Sequence, residues 1–289
     1  MRRRSVPIFL TALAILLCPG CAAARATVSP ARPAPAPART RTRPRSTPPG
    51  AQQNLAVALA PAIEQSGGVG VGVAVADIST GATVAYNGTT EFVTASIVKI
   101  DILATLLYQL QQADQVIAAG EQELAVTMIE NSDNDAATDL YDDVGGAQAM
   151  DDANQVFGLT ETTVGTDGYW GLTSTTADDQ IQLLRLIFTR PSPLSAASQE
   201  YIQELMSHVE ADQQWGIPAA ADPGSQFMVK NGWLPNPSRW EINSIGEIVH
   251  DGQTLLIAVL SSDNASANNG IALVEAVAAT AATAATTDP

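Results

Sequence analysis

Thr94-Ala95-Ser96-Ile97-Val98-Lys99-Ile100-Asp101-Ile102-Leu103 sets one serine and one lysine three residues apart in a largely apolar run. A helix that begins near Ser96 turns both side chains to one face, about 5–6 Å apart at Cβ, within reach for an amine to accept a hydroxyl proton. Lysine does this only when neutral, so its pKa must fall from about 10.4 toward ~7–8, by burial and by a second nearby cation. Ile97, Val98, Ile100 and Ile102 favour burial. Serine and lysine at this spacing also occur in many helices without chemistry, so the pair needs company.

The lysine stands out against the charge of the chain. Of 289 residues, 14 are Lys or Arg and 30 are Asp or Glu, a net charge of −16. Nine of those cations are arginines within residues 1–50, which hold no acid, so the other 239 residues carry five cations and a net charge of −25. A negative field favours ammonium, so local desolvation has to overcome it at Lys99. Five cations cannot build the basic face that phosphates require, which excludes nucleic acid as a partner. With 46% hydrophobic and 15% charged residues the chain is globular in composition. We expect a monomer with one compact unit of two lobes.

The N-terminus reads as an export segment over residues 1–21. Arg2-Arg3-Arg4 precede the apolar stretch Ile8 to Leu17, which is too short to span a bilayer comfortably. Gly20-Cys21 resembles a bacterial lipobox, with Cys18 where Leu is usual. The expectation is a lipid anchor at Cys21 on the outer face of the cell membrane; cleavage within Cys21-Ala22-Ala23-Ala24 would instead give a secreted protein. Cys18 and Cys21 are the only cysteines, so the folded part has neither a disulfide nor a thiolate metal site. Residues 22–53, rich in Pro, Ala and Arg, read as an extended linker.

Within 54–285, Leu55, Leu59 and Ile63 mark one helix face, ended by Gly67-Gly68. Val69, Val71, Val73 and Val75 alternate with Gly and Ala, and Thr80-Gly81 turns into a second strand over Ala82 to Tyr86. Helical patterns fill the middle: Ile97–Gln112, Glu123–Glu130, Asp133–Tyr141, Ala147–Phe157, Ala177–Phe188 and Ser195–Val209. Strands return over Gln226–Lys230, Trp240–Val249 and Thr254–Leu260, with turn signals at Asn231-Gly232, Pro235-Asn236-Pro237 and Asp251-Gly252, and an Ala-rich helix covers Asn269–Thr283. This order predicts an α/β (α+β) sandwich. An antiparallel sheet of about five strands lies between N- and C-terminal helices, with an all-helical lobe inserted over roughly 96–215. Catalytic groups belong in the seam.

Several chemistries lack parts. His208 and His250 form neither H-E-x-x-H nor a triad with a G-x-S-x-G elbow, and Gly68-Val69-Gly70-Val71-Gly72 has no following helix to bind a dinucleotide. Two clusters do join Ser96 and Lys99. Ser132-Asp133-Asn134 falls 36 residues after Ser96, and Lys230-Asn231-Gly232 follows the apolar Phe227-Met228-Val229. Singly, the first suits a helix cap and the second a turn. In this order and at these separations the three resemble the active-site motifs of class A β-lactamases and penicillin-binding D-alanyl-D-alanine peptidases, over most of residues 52–285.

The resemblance implies a serine hydrolase without metal or cofactor, acting on a small-molecule or peptidoglycan-type substrate. Ser96 attacks an amide and is acylated, Lys99 takes its proton, and Ser132 relays a proton to the leaving nitrogen. Asn134 holds the substrate's amide and Lys230 faces its carboxylate. The backbone N–H groups of Ser96 and of Trp233, the residue after the turn Lys230-Asn231-Gly232, form the oxyanion hole, each donor worth ~3–4 kcal/mol. Two departures stand against the pattern. Asn231 replaces the hydroxyl residue of K-T-G, which unsettles carboxylate recognition. The loop after Leu159 carries no glutamate at the place of the deacylating base, leaving Glu161 or Asp167 as substitutes. The expected activity is acylation by β-lactam or D-Ala-type amides with weak deacylation. The rivals are a non-catalytic cell-wall-binding lipoprotein and an efficient β-lactamase with a substitute carboxylate. Trp215, Trp233 and Trp240 are expected to pack in the core or line the cleft.

Overall fold

The computed structural model describes residues 49–287. The expected export segment 1–21 with its anchor at Cys21, and linker residues 22–48, lie outside the described residues. Helix α1 (Pro49–Gln65) begins five residues before the expected Asn54. A proline at the first helical position brings a suitable φ and lacks only an N–H that the first turn leaves unpaired. Residues 49–53 are therefore helix and not linker.

Strands β1 (Gly70–Asp77) and β2 (Thr83–Tyr86) form the first hairpin. The strands β5 (Met228–Asn236), β6 (Arg239–His250) and β7 (Gln253–Asn264) complete an antiparallel sheet in the order β2-β1-β7-β6-β5. The first and last strands in sequence thus meet at its centre, along the whole length of β1.

The alternation in β1 decides the layers, since successive side chains point to opposite faces. Val71, Val73 and Val75 pack with Ile257 and Val259 against Leu55 and Leu59 of α1 and Leu273, Val274 and Val277 of α8 (Ala267–Thr286). Ala74 and Ala76, with Ala258 and Leu260, face the helices. Their small side chains let α6 (Ala177–Phe188) lie directly on β1 and β7.

Beyond α6 lie α2 (Val98–Gln112), α3 (Ala119–Glu130), α4 (Asn134–Asp143), α5 (Gly146–Phe157) and α7 (Ala196–Ser207). Helix α2 is buried on every side from Val98 to Leu107, which explains the apolar run around Lys99. Ile97, Ile100, Ile102 and Leu103 are fully buried, each worth about 1.5–3 kcal/mol. Two short strands, β3 (Phe92–Val93) and β4 (Ser174–Thr175), pair and draw the loop after α5 toward the start of α2.

One sequence expectation fails here. Asn231-Gly232 reads as a turn that ends a strand, yet β5 runs straight through it, with Lys230 opposite Ile245 and Gly232 opposite Asn243. Pairing along β6 and burial override the local turn preference. The strand extends to Asn236, and Pro235 is tolerated because β5 lies at the sheet edge.

Candidate active site

Ser96 lies in a 3-10 turn (Ala95–Ile97) and α2 starts only at Val98, so the expected helix onset near Ser96 is a tighter turn. Ala95, just before it, has φ +47, a left-handed conformation that costs a non-glycine residue on the order of 1–2 kcal/mol. Asn243 of β6 holds this segment. Its Nδ2 donates to Val93 O and Thr94 O, both at 2.9 Å, and its Oδ1 accepts from Ser261 N at 3.1 Å. Thr94 N donates to Thr173 O at 2.8 Å. Beneath the turn passes Gly232, where a β-carbon would meet Thr94 O at 2.6 Å. Only glycine lets the β5 backbone run this close, which is the role of the residue that read as a turn. Ser96 itself keeps 9% of its surface exposed.

Lys99 follows one turn later and is fully buried. Its Nζ donates to Ser132 O at 2.6 Å, Ser132 Oγ at 3.2 Å and Asn134 Oδ1 at 2.8 Å. It also lies 5.2 Å from the centroid of the Trp170 ring. Burial pulls its pKa down to about 7, while Asp133 pushes it back up. The low value demanded by the Ser96–Lys99 spacing is thus produced by desolvation first.

Ser132 adopts φ +57 between α3 and α4. Asp133 caps α4, its carboxylate accepting from Ala136 N at 2.8 Å. With the cap supplied by Asp133, Ser132 and Asn134 are free to turn to Lys99. Lys230 is likewise fully buried; its Nζ donates to Ser132 Oγ at 2.9 Å and Asn231 O at 3.1 Å. Burial, then the charge of Lys99, holds its ammonium well below the usual lysine range. Among the described residues the sole ion pair is His250–Asp251 at 3.7 Å, so both buried lysines lack a carboxylate partner. Two amines therefore share one hydroxyl.

The geometry brings Ser132, Asn134, Lys99 and Lys230 into one network, with Gly232 against the turn that carries Ser96. It does not turn Asn231 to the cleft. Asn231 Nδ2 donates to Gln213 O at 2.7 Å and Trp215 O at 2.9 Å, and its buried Oδ1 has no partner. Trp233 is 36% exposed and meets Trp215 edge to face, ring centroids 6.1 Å apart. Trp240 packs against the core between the sheet and α8.

On the loop after α5, Glu161 and Asp167 are exposed, and Asp133 is the one carboxylate acting on Lys99. The loop instead presents Trp170, 9% exposed, whose Nε1 donates to Thr138 Oγ1 at 3.2 Å. Trp170 and Asn243 escape sequence reasoning. A loop tryptophan and a mid-strand asparagine carry no spacing signal. His208 and His250 stay peripheral, their Nδ1 atoms against Glu204 O at 2.8 Å and Ala220 O at 2.6 Å.

Comparisons with known proteins bear on the family and the fold. The family described as "Beta-lactamase enzyme family" matches residues 54–119 and 120–285. A class A β-lactamase from Bacteroides cellulosilyticus superposes with a TM-score of 0.71 at 16% identity, covering 84% of this chain and 100% of that one. A PBP-A variant solved as an acyl-enzyme complex with penicillin G gives 0.69 at 20% identity, covering 80% and 96%. A β-lactamase from Burkholderia vietnamiensis gives 0.69 at 21%, covering 81% and 97%. The Mycobacterium tuberculosis protein named "Putative lipoprotein LppW" is 26% identical over 175 residues, 58% of this chain and 55% of the relative. The chain thus spans about half the length of the curated relatives it matches.

Proposed function

The chain belongs to the beta-lactamase enzyme family, and on that premise we propose that it is a serine hydrolase acylated at Ser96 by β-lactam or D-Ala-type amides and slow to release the acyl group. The observation that carries this reading is the sharing of Ser132 Oγ by Lys99 at 3.2 Å and Lys230 at 2.9 Å. A lysine with pKa about 7 supplies a neutral amine at working pH. Lys99 takes the Ser96 proton as Ser96 Oγ bonds the carbonyl carbon and the amide C–N bond breaks. Ser132 gives its proton to the departing nitrogen and is reprotonated from Lys99. The Ser96 and Trp233 N–H groups hold the developing oxyanion, and Asn134 holds the substrate amide.

Hydrolysis of the ester then needs a base for water. Trp170 occupies the side of Lys99 that the loop covers, and loss of such a base costs about 10²–10⁴ in rate. Intact-protein mass after incubation with a penicillin tests the reading: a persistent adduct absent from Ser96→Ala is expected. No adduct, or one that survives in Ser96→Ala, overturns it. Turnover of a chromogenic cephalosporin above a trace rate would instead favour Glu161 or Asp167 as a substitute base.

One observation favours a second reading, a cell-wall-binding lipoprotein that keeps the fold. The three hydrogen bonds of Lys99 Nζ go to Ser132 and Asn134 and none to Ser96. That reading expects ligand retention unaltered by Ser96→Ala or Lys99→Ala. With either reading we place the protein on the outer face of the cell membrane through Cys21, supported by the lipoprotein relatives. Loss of metabolic lipid labelling in Cys21→Ala is the expected result.

A further inference from the structure

Resting on the hydrolase reading, we propose that the site selects acyl donors uncharged beyond the scissile bond, such as an ester, an amidated residue or a continuing peptide. A penicillin or a C-terminal D-alanine carries a carboxylate there. A carboxylate needs free donors, preferably charged ones, and roughly doubles the strength of each hydrogen bond it accepts.

The amide donors at this end of the cleft are committed elsewhere, and the lysine is buried. Lys230 Nζ is fully buried and bonds Ser132 Oγ and Asn231 O. Both amide hydrogens of Asn231 go to Gln213 O and Trp215 O, and the atom left over, Oδ1, is an acceptor. Opposite Asn231 on β6, Ser244 is fully buried, its Oγ accepting from Ile217 N at 3.0 Å. Among the described residues no guanidinium is shown to complete the set. Arg185 bonds Gly81 O and Thr83 Oγ1 beside β2. Arg239 reaches Asp263 O at the far end of the β5–β6 hairpin, and Arg190 follows the end of α6. With Lys99 and Lys230 these are all five cations after residue 50.

Longer-range forces act in the same direction. The net charge of −25 over residues 51–289 repels an anion approaching the cleft. Burial disfavours the charged form of both lysines. The exposed face of Trp233, braced by Trp215 and adjacent in sequence to Gly232, offers apolar surface to an uncharged group.

The test compares benzylpenicillin with its methyl ester, timing the Ser96 adduct by intact-protein mass in the wild-type protein. The ester is expected to acylate within about fivefold of the acid or faster, because the acid gains no charge-assisted bond. Raising salt from 0.05 to 0.5 M should speed the acid and leave the ester unchanged, since the Debye length falls well below 10 Å. An acid that reacts more than about fivefold faster than the ester overturns the inference and leaves the hydrolase reading intact. Absence of a Ser96-dependent adduct with either compound overturns both.

Discussion

Gly232 passes Ser96 so closely that a β-carbon on it would stand 3.0 Å from the Ser96 nitrogen. The other obstacles, Thr94 O at 2.6 Å and Ile97 N at 2.9 Å, are also backbone atoms, so no side chain can swing aside. In Gly232→Ala, β5 and the turn must move apart, and the Ser96 and Trp233 N–H groups lose their common focus. Acylation should fall by about 10²–10³, the usual cost of a lost oxyanion donor. Thermal unfolding should shift down as well. Gly120→Ala, where a β-carbon meets nothing within 4 Å, is the matched control and should leave acylation unchanged without lowering thermal unfolding.

The contrast between Gly232 and Val73 shows what the sequence could reveal. Val71, Val73 and Val75 alternate with small residues, and Leu55 and Leu59 repeat every four, so local periodicity exposed the sheet and α1 correctly. The three motif clusters single out Ser96, Lys99, Ser132 and Lys230 because each is a short contiguous signal, and the structure joins Lys99, Ser132 and Lys230 in one hydrogen-bond network. Asn231-Gly232 misled because turn preference is local, whereas its strand conformation comes from pairing with β6. Asn243 holds a carbonyl 149 residues away, and Trp170 reaches Lys99 across a loop, so neither contact leaves a pattern along the chain. The missing hydroxyl at Asn231 is legible in the sequence, but its inward turn depends on carbonyls at 213 and 215.

If Lys99 is the acylating base, its ionisation should appear directly in the kinetics. With a pKa of about 7, the pseudo-first-order acylation rate should rise about tenfold per pH unit below that value and level off above it. Lys99→Arg keeps the charge but cannot deprotonate, so it should lose about 10²–10⁴ and show no plateau. A rate independent of pH from 5 to 9 would remove Lys99 from this role.

Two buried groups on α2 give opposing slopes to stability. Lys99 ionises near 7 in the fold against 10.5 in the free side chain. Between those values the unfolded chain binds the extra proton, so stability climbs as pH rises from about 7 to 10.5. Asp101 is pushed up to about 7 by burial, and by Asp151 and Asp179, against the bond from Asn154 Nδ2 at 3.0 Å. Here the folded chain binds the extra proton, so stability falls as pH rises from about 4 to 7. Asp101→Asn keeps the shape of the neutral acid and abolishes that fall. Its melting temperature should match wild type near pH 4 and exceed it at pH 8, by roughly 2–4 °C for each kcal/mol relieved.

Trp170 acts on Lys99 in two opposite ways, and their sizes decide the outcome of removing it. Its ring face, 5.2 Å from Nζ, stabilises the ammonium by about 0.5–1 kcal/mol. Its bulk also keeps water off Lys99, and desolvation is the largest cause of the low pKa; for buried lysines this effect reaches about 3–5 units. Desolvation wins, so in Trp170→Ala the Lys99 pKa should rise and the acylation midpoint move at least about one unit alkaline, with a roughly tenfold slower rate at pH 7. The same opening gives water access to the Ser96 ester, so the acyl-enzyme should decay faster than in wild type. Trp170→Phe loses the Nε1 bond to Thr138 but keeps the apolar cover, and should hold the midpoint within about half a unit. An unchanged midpoint in Trp170→Ala would mean that the indole shields nothing that matters to the base.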